Sequence, residues 1–164
     1  MQWAWLSGLN ALNAPGAYGT KGIPSVNNYP GARHEYSMVF DPAINGLYLF
    51  GGYGYDLSTH STSQSTKGYL SVTVGPLYDF WSYDISSLQW TWMYGINGVD
   101  YMGTYGTRGI PSIDNYPGGR NQHSIVIDST LNFLYMFGGY GNGRITYGKL
   151  ALTSIHSCQC RLFK

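Results

Sequence analysis

The chain has 164 residues, enough for a domain with a sizeable core, and its 9 Lys and Arg against 8 Asp and Glu leave it close to neutral. Only 10% of the residues are charged and the basic ones are scattered, so there is no clustered cationic surface of the kind that binds phosphate backbones, and no nucleic-acid partner is expected. With 23 Gly, 16 Tyr and 5 Trp the composition predicts an all-β chain of short strands and tight turns, and no stretch approaches the ~20 apolar residues of a membrane span.

The first segment, Met1 to Gly8, lacks the basic and long apolar regions of a signal peptide. Within it Gln2-Trp3-Ala4-Trp5 alternates as a strand does, and it recurs as Gln89-Trp90-Thr91-Trp92. That offset of 87 residues then holds without a gap to about Asp56. Tyr18-Gly19-Thr20-Lys21-Gly22-Ile23-Pro24-Ser25 recurs as Tyr105-Gly106-Thr107-Arg108-Gly109-Ile110-Pro111-Ser112. Asn28-Tyr29-Pro30-Gly31 recurs as Asn115-Tyr116-Pro117-Gly118, and Leu47-Tyr48-Leu49-Phe50-Gly51-Gly52 as Leu134-Tyr135-Met136-Phe137-Gly138-Gly139. An internal repeat of this length organises the whole chain.

Within one period, Tyr36 to Phe40 and Leu47 to Phe50 read as short apolar strands, joined by a turn at Asp41–Gly46 that supplies Pro, Asn and Gly. The second run ends at Gly51-Gly52, where absent side chains permit positive φ or close backbone approach. Tyr53 to about Tyr78 reads as a long connection, with a Ser/Thr-rich run from Leu57 to Gly68 that is expected to be mobile. Phe80 to Tyr83 is a third strand, Asp84–Leu88 a turn, and Gln89 to Met93 a fourth, half-exposed strand with both tryptophans on one face and Gln89 and Thr91 on the other. A second long connection runs from Tyr94 to about Gly119 before the second copy begins; that copy stops matching after Gly141.

Three buried strands, then a half-exposed one, with the Gly-Gly doublet (Gly51-Gly52, and Gly138-Gly139 in the second copy) followed in the first copy by Tyr83 and Trp90, resemble the Kelch repeat. The resemblance covers nearly all of residues 1–143 and implies antiparallel four-stranded β-propeller blades. The period of 87 departs from the family's ~50, which two long loops account for. On this reading residues 2–6 are the outer strand of a preceding blade, 33–93 a complete blade, 120–141 the inner strands of the next, and 144–164 a non-repeat tail, in which Ala151 to Cys160 can add a makeshift strand. The propeller is then incomplete. Trp90 and Trp92 are expected to be mostly buried against an adjacent blade. The second copy should end with a bare edge near Phe137 and an outer flank exposing Ile125, Ile127 and Met136. The partners implied are further propeller blades or self-association.

In such blades the short turns fall on one face and both long connections on the other, where the resemblance places partner binding. The candidate ligand-binding residues are Tyr18, Lys21, Asn28, Tyr29 and Arg33 with their mates Tyr105, Arg108, Asn115, Tyr116 and Arg120, since Tyr and Arg are favoured at binding hot spots. The competing reading is that repeated residues maintain the repeat. Tyr29-Pro30-Gly31 then re-aims the chain, and Arg33 and Arg120 satisfy carbonyls or a carboxylate near the glycine bend.

Catalysis finds little support. His34, His60, His123 and His156 occupy non-equivalent positions without metal-ligand spacing, the acids are dispersed, and Cys158 and Cys160 are too close together to staple a domain. No metal, cofactor or catalytic residue is expected. The chain reads as a non-enzymatic recognition or scaffold module that binds a protein or glycan through its long-loop face. The rival readings are a non-catalytic part of an enzyme resembling galactose oxidase, and a truncated product with no independent function.

Overall fold

In the computed structural model, which describes residues 1–58, 71–142, 154–155 and 159–163, the chain is all-β with antiparallel sheets, as its composition implies. Among the described residues there is no helix long and apolar enough to cross a membrane. The strands are β1 (Arg33–His34), β2 (Ser37–Asp41), β3 (Gly46–Phe50), β4 (Tyr53–Ser58), β5 (Ser71–Asp84) and β6 (Gln89–Val99) in the first copy of the repeat. β7 (Arg120–Asp128) and β8 (Phe133–Gly141) follow in the second, with β9 (Ser154–Ile155) and β10 (Gln159–Phe163) in the tail.

The first copy forms an antiparallel meander in the order β2-β3-β5-β6. Aspartates set both of its tight turns. Asp41 Oδ1 accepts from Ala43 N at 3.0 Å and Asp84 Oδ1 from Ser86 N at 2.7 Å, while Asn45 and Leu88 take positive φ. At the opposite end Gly51 and Gly52 bend the chain with φ of +59° and +98°. A Cβ on Gly52 would lie 2.8 Å from the His34 carbonyl and one on Gly51 2.5 Å from that of Arg120, so both geometry and space require glycine there.

Beyond the bend β4 pairs with the first half of β5, from Tyr53↔Pro76 to Ser58↔Ser71, and β1 pairs with β4. The connection expected as one long loop from Tyr53 is therefore largely a hairpin. Its ladder is carried by main-chain groups, which Gly- and Tyr-rich segments supply as well as apolar ones do. Leu57 and Ser58, at the head of the Ser/Thr-rich run, close β4; residues 59 to 68 of that run lie outside the described residues.

In the second copy β8 pairs with β7 on one side and with the tail on the other. Gln159 stands opposite Phe137 as Phe80 stands opposite Phe50, and Ile155 opposite Tyr140 as Pro76 opposite Tyr53. The tail thus occupies the third-strand position in the register of β5, although its sequence is unrelated. The bare edge expected near Phe137 is covered, because strand pairing needs only main-chain donors and acceptors. Residues 2–6, expected as an outer strand, form none: Trp3 and Trp5 are 94% and 69% exposed, and a lone extended segment has no ladder to join.

The two sheets pack face to face. Tyr48, Phe50, Tyr78 and Phe80 of the first meet Ile125, Leu134 and Met136 of the second, each burial contributing ~1.5–3 kcal/mol. This overturns the expectation that Ile125, Ile127 and Met136 face outward: Ile125 and Met136 are buried and Ile127 half-buried at this interface. Side chains alternate along a strand, so Val126 and Phe137 take the outer face instead, 59% and 60% exposed. A polar seam flanks the apolar contact. Gln122 N donates to Glu35 O at 2.8 Å, Gly52 N to Arg120 O at 2.9 Å, and Ser37 Oγ to the His123 carbonyl.

Candidate binding site

The other face of the first sheet is organised by one buried acid that the candidate residues surround. Asp79, fully buried on β5, receives Arg33 Nη1 at 2.6 Å and Nη2 at 2.8 Å, Tyr18 Oη at 2.7 Å and Trp81 Nε1 at 2.7 Å. Arg33 is held in turn by Gly31 O at 3.1 Å from Nε and by Gly51 O at 3.0 Å from Nη1. Burial by itself pushes the Asp79 carboxyl up, but the Arg33 charge and the donated hydrogen bonds outweigh it and hold the group below the usual carboxylate range. Burial and the neighbouring Asp79 charge push the Tyr18 phenol well above its ordinary value, so it stays protonated as a donor.

Around this cluster Tyr18 packs on Leu49 and Trp81, and Trp90 and Trp92 complete the layer. The two tryptophans do share a face, but they are half-buried, and what covers them is their own sheet and the 17–29 segment rather than a neighbouring sheet. Gly22 N donates to Trp92 O at 2.8 Å and Ser25 N to Trp90 O at 3.3 Å, so that segment runs along the free edge of β6. Lys21 Nζ donates to Gly95 O at 2.8 Å and lies 4.4 Å from the Trp92 ring centroid, a cation–π contact. Asn28 Nδ2 donates to Ile23 O and Trp90 O. Tyr29 pairs by its main chain with Ala17. In the first copy Tyr18, Lys21, Asn28 and Arg33 are therefore all engaged internally, and a ligand contacting them has to break those bonds.

Their mates are less enclosed. Arg120 is buried, Tyr105 and Asn115 are half-buried, and Arg108 is exposed without a hydrogen bond or ion pair among the described residues. Asn115 Nδ2 repeats the local bond to Ile110 O at 3.0 Å. Tyr116 packs on Tyr78, ring centroids 5.1 Å apart, at the rim of the intersheet core.

The sequence reading missed three contributors. Asp79 was legible as the one acid inside the apolar run Leu77 to Trp81, where a charge demands a partner. Tyr53 and Tyr55 gave no such signal, because the segment carrying them read as loop. With Asn13, Ala32, Arg33, His34 and Val74 they line an open depression of about 270 Å³ at the end of the sheet opposite the aspartate turns. His34 and Tyr53 stand 5.5 Å apart there, ring to ring. Among the described residues no three His, Cys, Asp or Glu side chains gather to hold a metal ion. The chain matches no family model and no curated protein.

Proposed function

We propose that the chain is part of a Kelch-type β-propeller and serves as a non-enzymatic recognition and scaffold module, binding a protein or glycan through the side that carries its long connections. The blade reading is supported by the meander β2-β3-β5-β6 and by its partial repetition in β7-β8-β10. It is also supported by the motif residues: Tyr83 stands opposite Trp90 across the β5–β6 ladder, their rings 4.8 Å apart. Stacking of the two sheets through Tyr48 and Phe50 leaves the equivalent face of the second sheet, with Val126 and Phe137, open to a further blade or a second copy.

The observation that carries the binding half is the depression lined by His34, Tyr53 and Tyr55. It sits where the connections of the first copy converge, has room for one sugar ring or one side chain, and presents aromatic faces beside polar tips. Chemical-shift mapping with a panel of oligosaccharides and peptides tests this. Perturbations are expected to centre on Ala32–His34 and Tyr53–Tyr55, and binding is expected to weaken about tenfold or more in Tyr55→Ala. A footprint on Asp41–Gly46 and Asp84–Leu88, or binding indifferent to Tyr55→Ala, contradicts the proposal.

A further inference from the structure

In the first copy the segment 17–29 clasps the outer strand; in the second the same clasp is built around nothing. Along β6, Gly22 N donates to Trp92 O at 2.8 Å, Ser25 N to Trp90 O at 3.3 Å and Asn28 Nδ2 to Trp90 O at 3.2 Å. Segment 104–116 repeats the internal bonds of 17–29. Thr104 pairs with Tyr116 as Ala17 does with Tyr29, Ile110 N donates to Thr107 O as Ile23 N does to Thr20 O, and Asn115 Nδ2 to Ile110 O as Asn28 Nδ2 does to Ile23 O. Gly22 and Gly109 take the same left-handed φ, +79° and +84°. Yet Gly109 N and Ser112 N have no acceptor among the described residues, Asn115 Nδ2 makes only its local bond, and β10 pairs with β8 alone. Tyr105 and Asn115 are half-buried, where Tyr18 and Asn28 are 6% and 3% exposed.

Residues 2–10 carry the shape that this clasp holds in the first copy. Gln2, Trp3, Trp5, Gly8 and Asn10 are the mates of Gln89, Trp90, Trp92, Gly95 and Asn97 at the 87-residue offset. Trp5 Nε1 donates to Ser7 O at 2.8 Å as Trp92 Nε1 does to Tyr94 O at 2.8 Å, and Gly8 takes φ of +89° where Gly95 takes +85°. Both indoles nevertheless stand largely in water.

We propose that residues 2–6 of one molecule add to the second sheet of another as its fourth strand, between β10 and segment 104–116. Transposed from the first copy, the donated Trp5 carbonyl accepts from Gly109 N, and the donated Trp3 carbonyl from Ser112 N and Asn115 Nδ2. In the ladder the two residues stand opposite Cys160 and Leu162, as Trp92 and Trp90 stand opposite Trp81 and Tyr83. Tyr105 then meets the Trp5 ring edge-on, as Tyr18 meets Trp92 at 5.1 Å. The exposed Arg108 covers that ring and reaches Gly8 O, as Lys21 does with Trp92 and Gly95 O. The strand comes from another molecule because the constant offset fixes the connection. Residues 89–92 lie in the first sheet and lead on to the sheet stacked upon it, so residues 2–5 lie in whatever sheet the first one stacks upon. That is a neighbour's second sheet, with Val126 and Phe137 on its open face. The assembly is head-to-tail and rests on the blade reading proposed above.

Amide hydrogen exchange of the whole chain, followed together with its sedimenting mass as concentration rises, tests this. Exchange at Gly109 and Ser112 is expected to slow by about tenfold or more as the mass climbs, and tryptophan emission to shift to the blue. The double variant Trp3→Ser with Trp5→Ser, which alters only exposed rings, is expected to lose both changes. Unlabelled native chain added to isotope-labelled double variant should restore protection at Gly109 and Ser112 of the variant, because its clasp is intact. Arg108→Ala should weaken the protection without affecting the fold. A mass that rises while Gly109 and Ser112 stay unprotected overturns strand donation and leaves the sheet-on-sheet contact standing. A mass that does not rise removes both. Protection that persists in the double variant alone also overturns the proposal, since another segment then fills this edge.

Discussion

Asp79→Asn probes the cluster that fixes the first copy. The substitution preserves shape but removes a negative charge that is fully buried and receives four hydrogen bonds. Arg33, whose side chain is 3% exposed, then keeps its positive charge with no counter-charge in contact. Breaking a buried pair from one side costs ~3–5 kcal/mol, because the abandoned charge stays desolvated, and that is a large part of a domain's total stability of ~5–15 kcal/mol. Urea unfolding followed by tryptophan fluorescence reads the effect. With a slope of ~2 kcal/mol/M the midpoint falls by about 2 M. The double variant Arg33→Met with Asp79→Leu removes both charges and is expected to recover more than half of the loss. The same pair sets an acid limit. The Asp79 carboxyl is held below its unfolded value of ~3.9, so its contribution is complete above that pH and is lost as pH falls through the folded value. A loss under ~1 kcal/mol in Asp79→Asn, or a double variant worse than the single, refutes the reasoning, since either result means that Arg33 does not depend on this carboxylate.

His123 supplies a second pH dependence. It is 5% exposed in the intersheet core against Phe50, and burial, aided by the Arg120 charge, pushes its imidazole down to about 4. The unfolded chain takes up this proton below ~6.5 and the folded chain does not until about 4, so the native state should lose ~2 kcal/mol between pH 7 and pH 5. His123→Gln should flatten that part of the stability profile, and equal slopes for the two proteins would count against it. Tryptophan truncations should rank by enclosure. Trp81→Ala, at 0% exposure, is expected to cost ~3–5 kcal/mol, Trp90→Ala clearly less, and Trp3→Ala, at 94% exposure, within ~0.5 kcal/mol of nothing. Equal losses for Trp3 and Trp81 in denaturant titrations would contradict the placement of residues 2–6 outside the sheets.

Much of the fold lay open in the sequence because repetition and turn chemistry are side-chain signals. The offset between copies, the Gly51-Gly52 bend and the aspartate turns are read directly from residue types. Three features were not legible, each for a physical reason. The β4–β5 hairpin and the register of the tail strands are set by main-chain bonds, which leave no mark on residue choice; Gln159–Phe163 fits the register of Phe80–Asp84 with none of its side chains in common. Which face of β7 meets the first sheet turns on a one-residue phase, and Ile125 and Val126 are adjacent β-branched residues on opposite faces, so residue type at that point of the strand did not choose between them. The role of Arg33 was half visible: the sequence pointed to a carbonyl or carboxylate near the glycine bend, but Asp79 does not recur in the second copy, so the repeat gave it no mark.

The central claim is that the two copies stack sheet on sheet and leave their outer apolar faces uncovered. The face of the second sheet carrying Val126 and Phe137 is the counterpart of the face of the first carrying Val39 and Phe50, which the second sheet covers. The far face of the first sheet exposes Met38 and Phe40, the counterparts of Ile125 and Ile127 in that same contact. Head-to-tail association of one chain's second sheet on another's first would repeat the contact already made within the chain. Sedimentation equilibrium at micromolar concentration, with the native chain beside Phe137→Asp, tests this most directly. The account predicts a concentration-dependent mass above 18.2 kDa for the native chain and a return toward 18.2 kDa in Phe137→Asp. A native chain that stays at 18.2 kDa and melts cooperatively would contradict it.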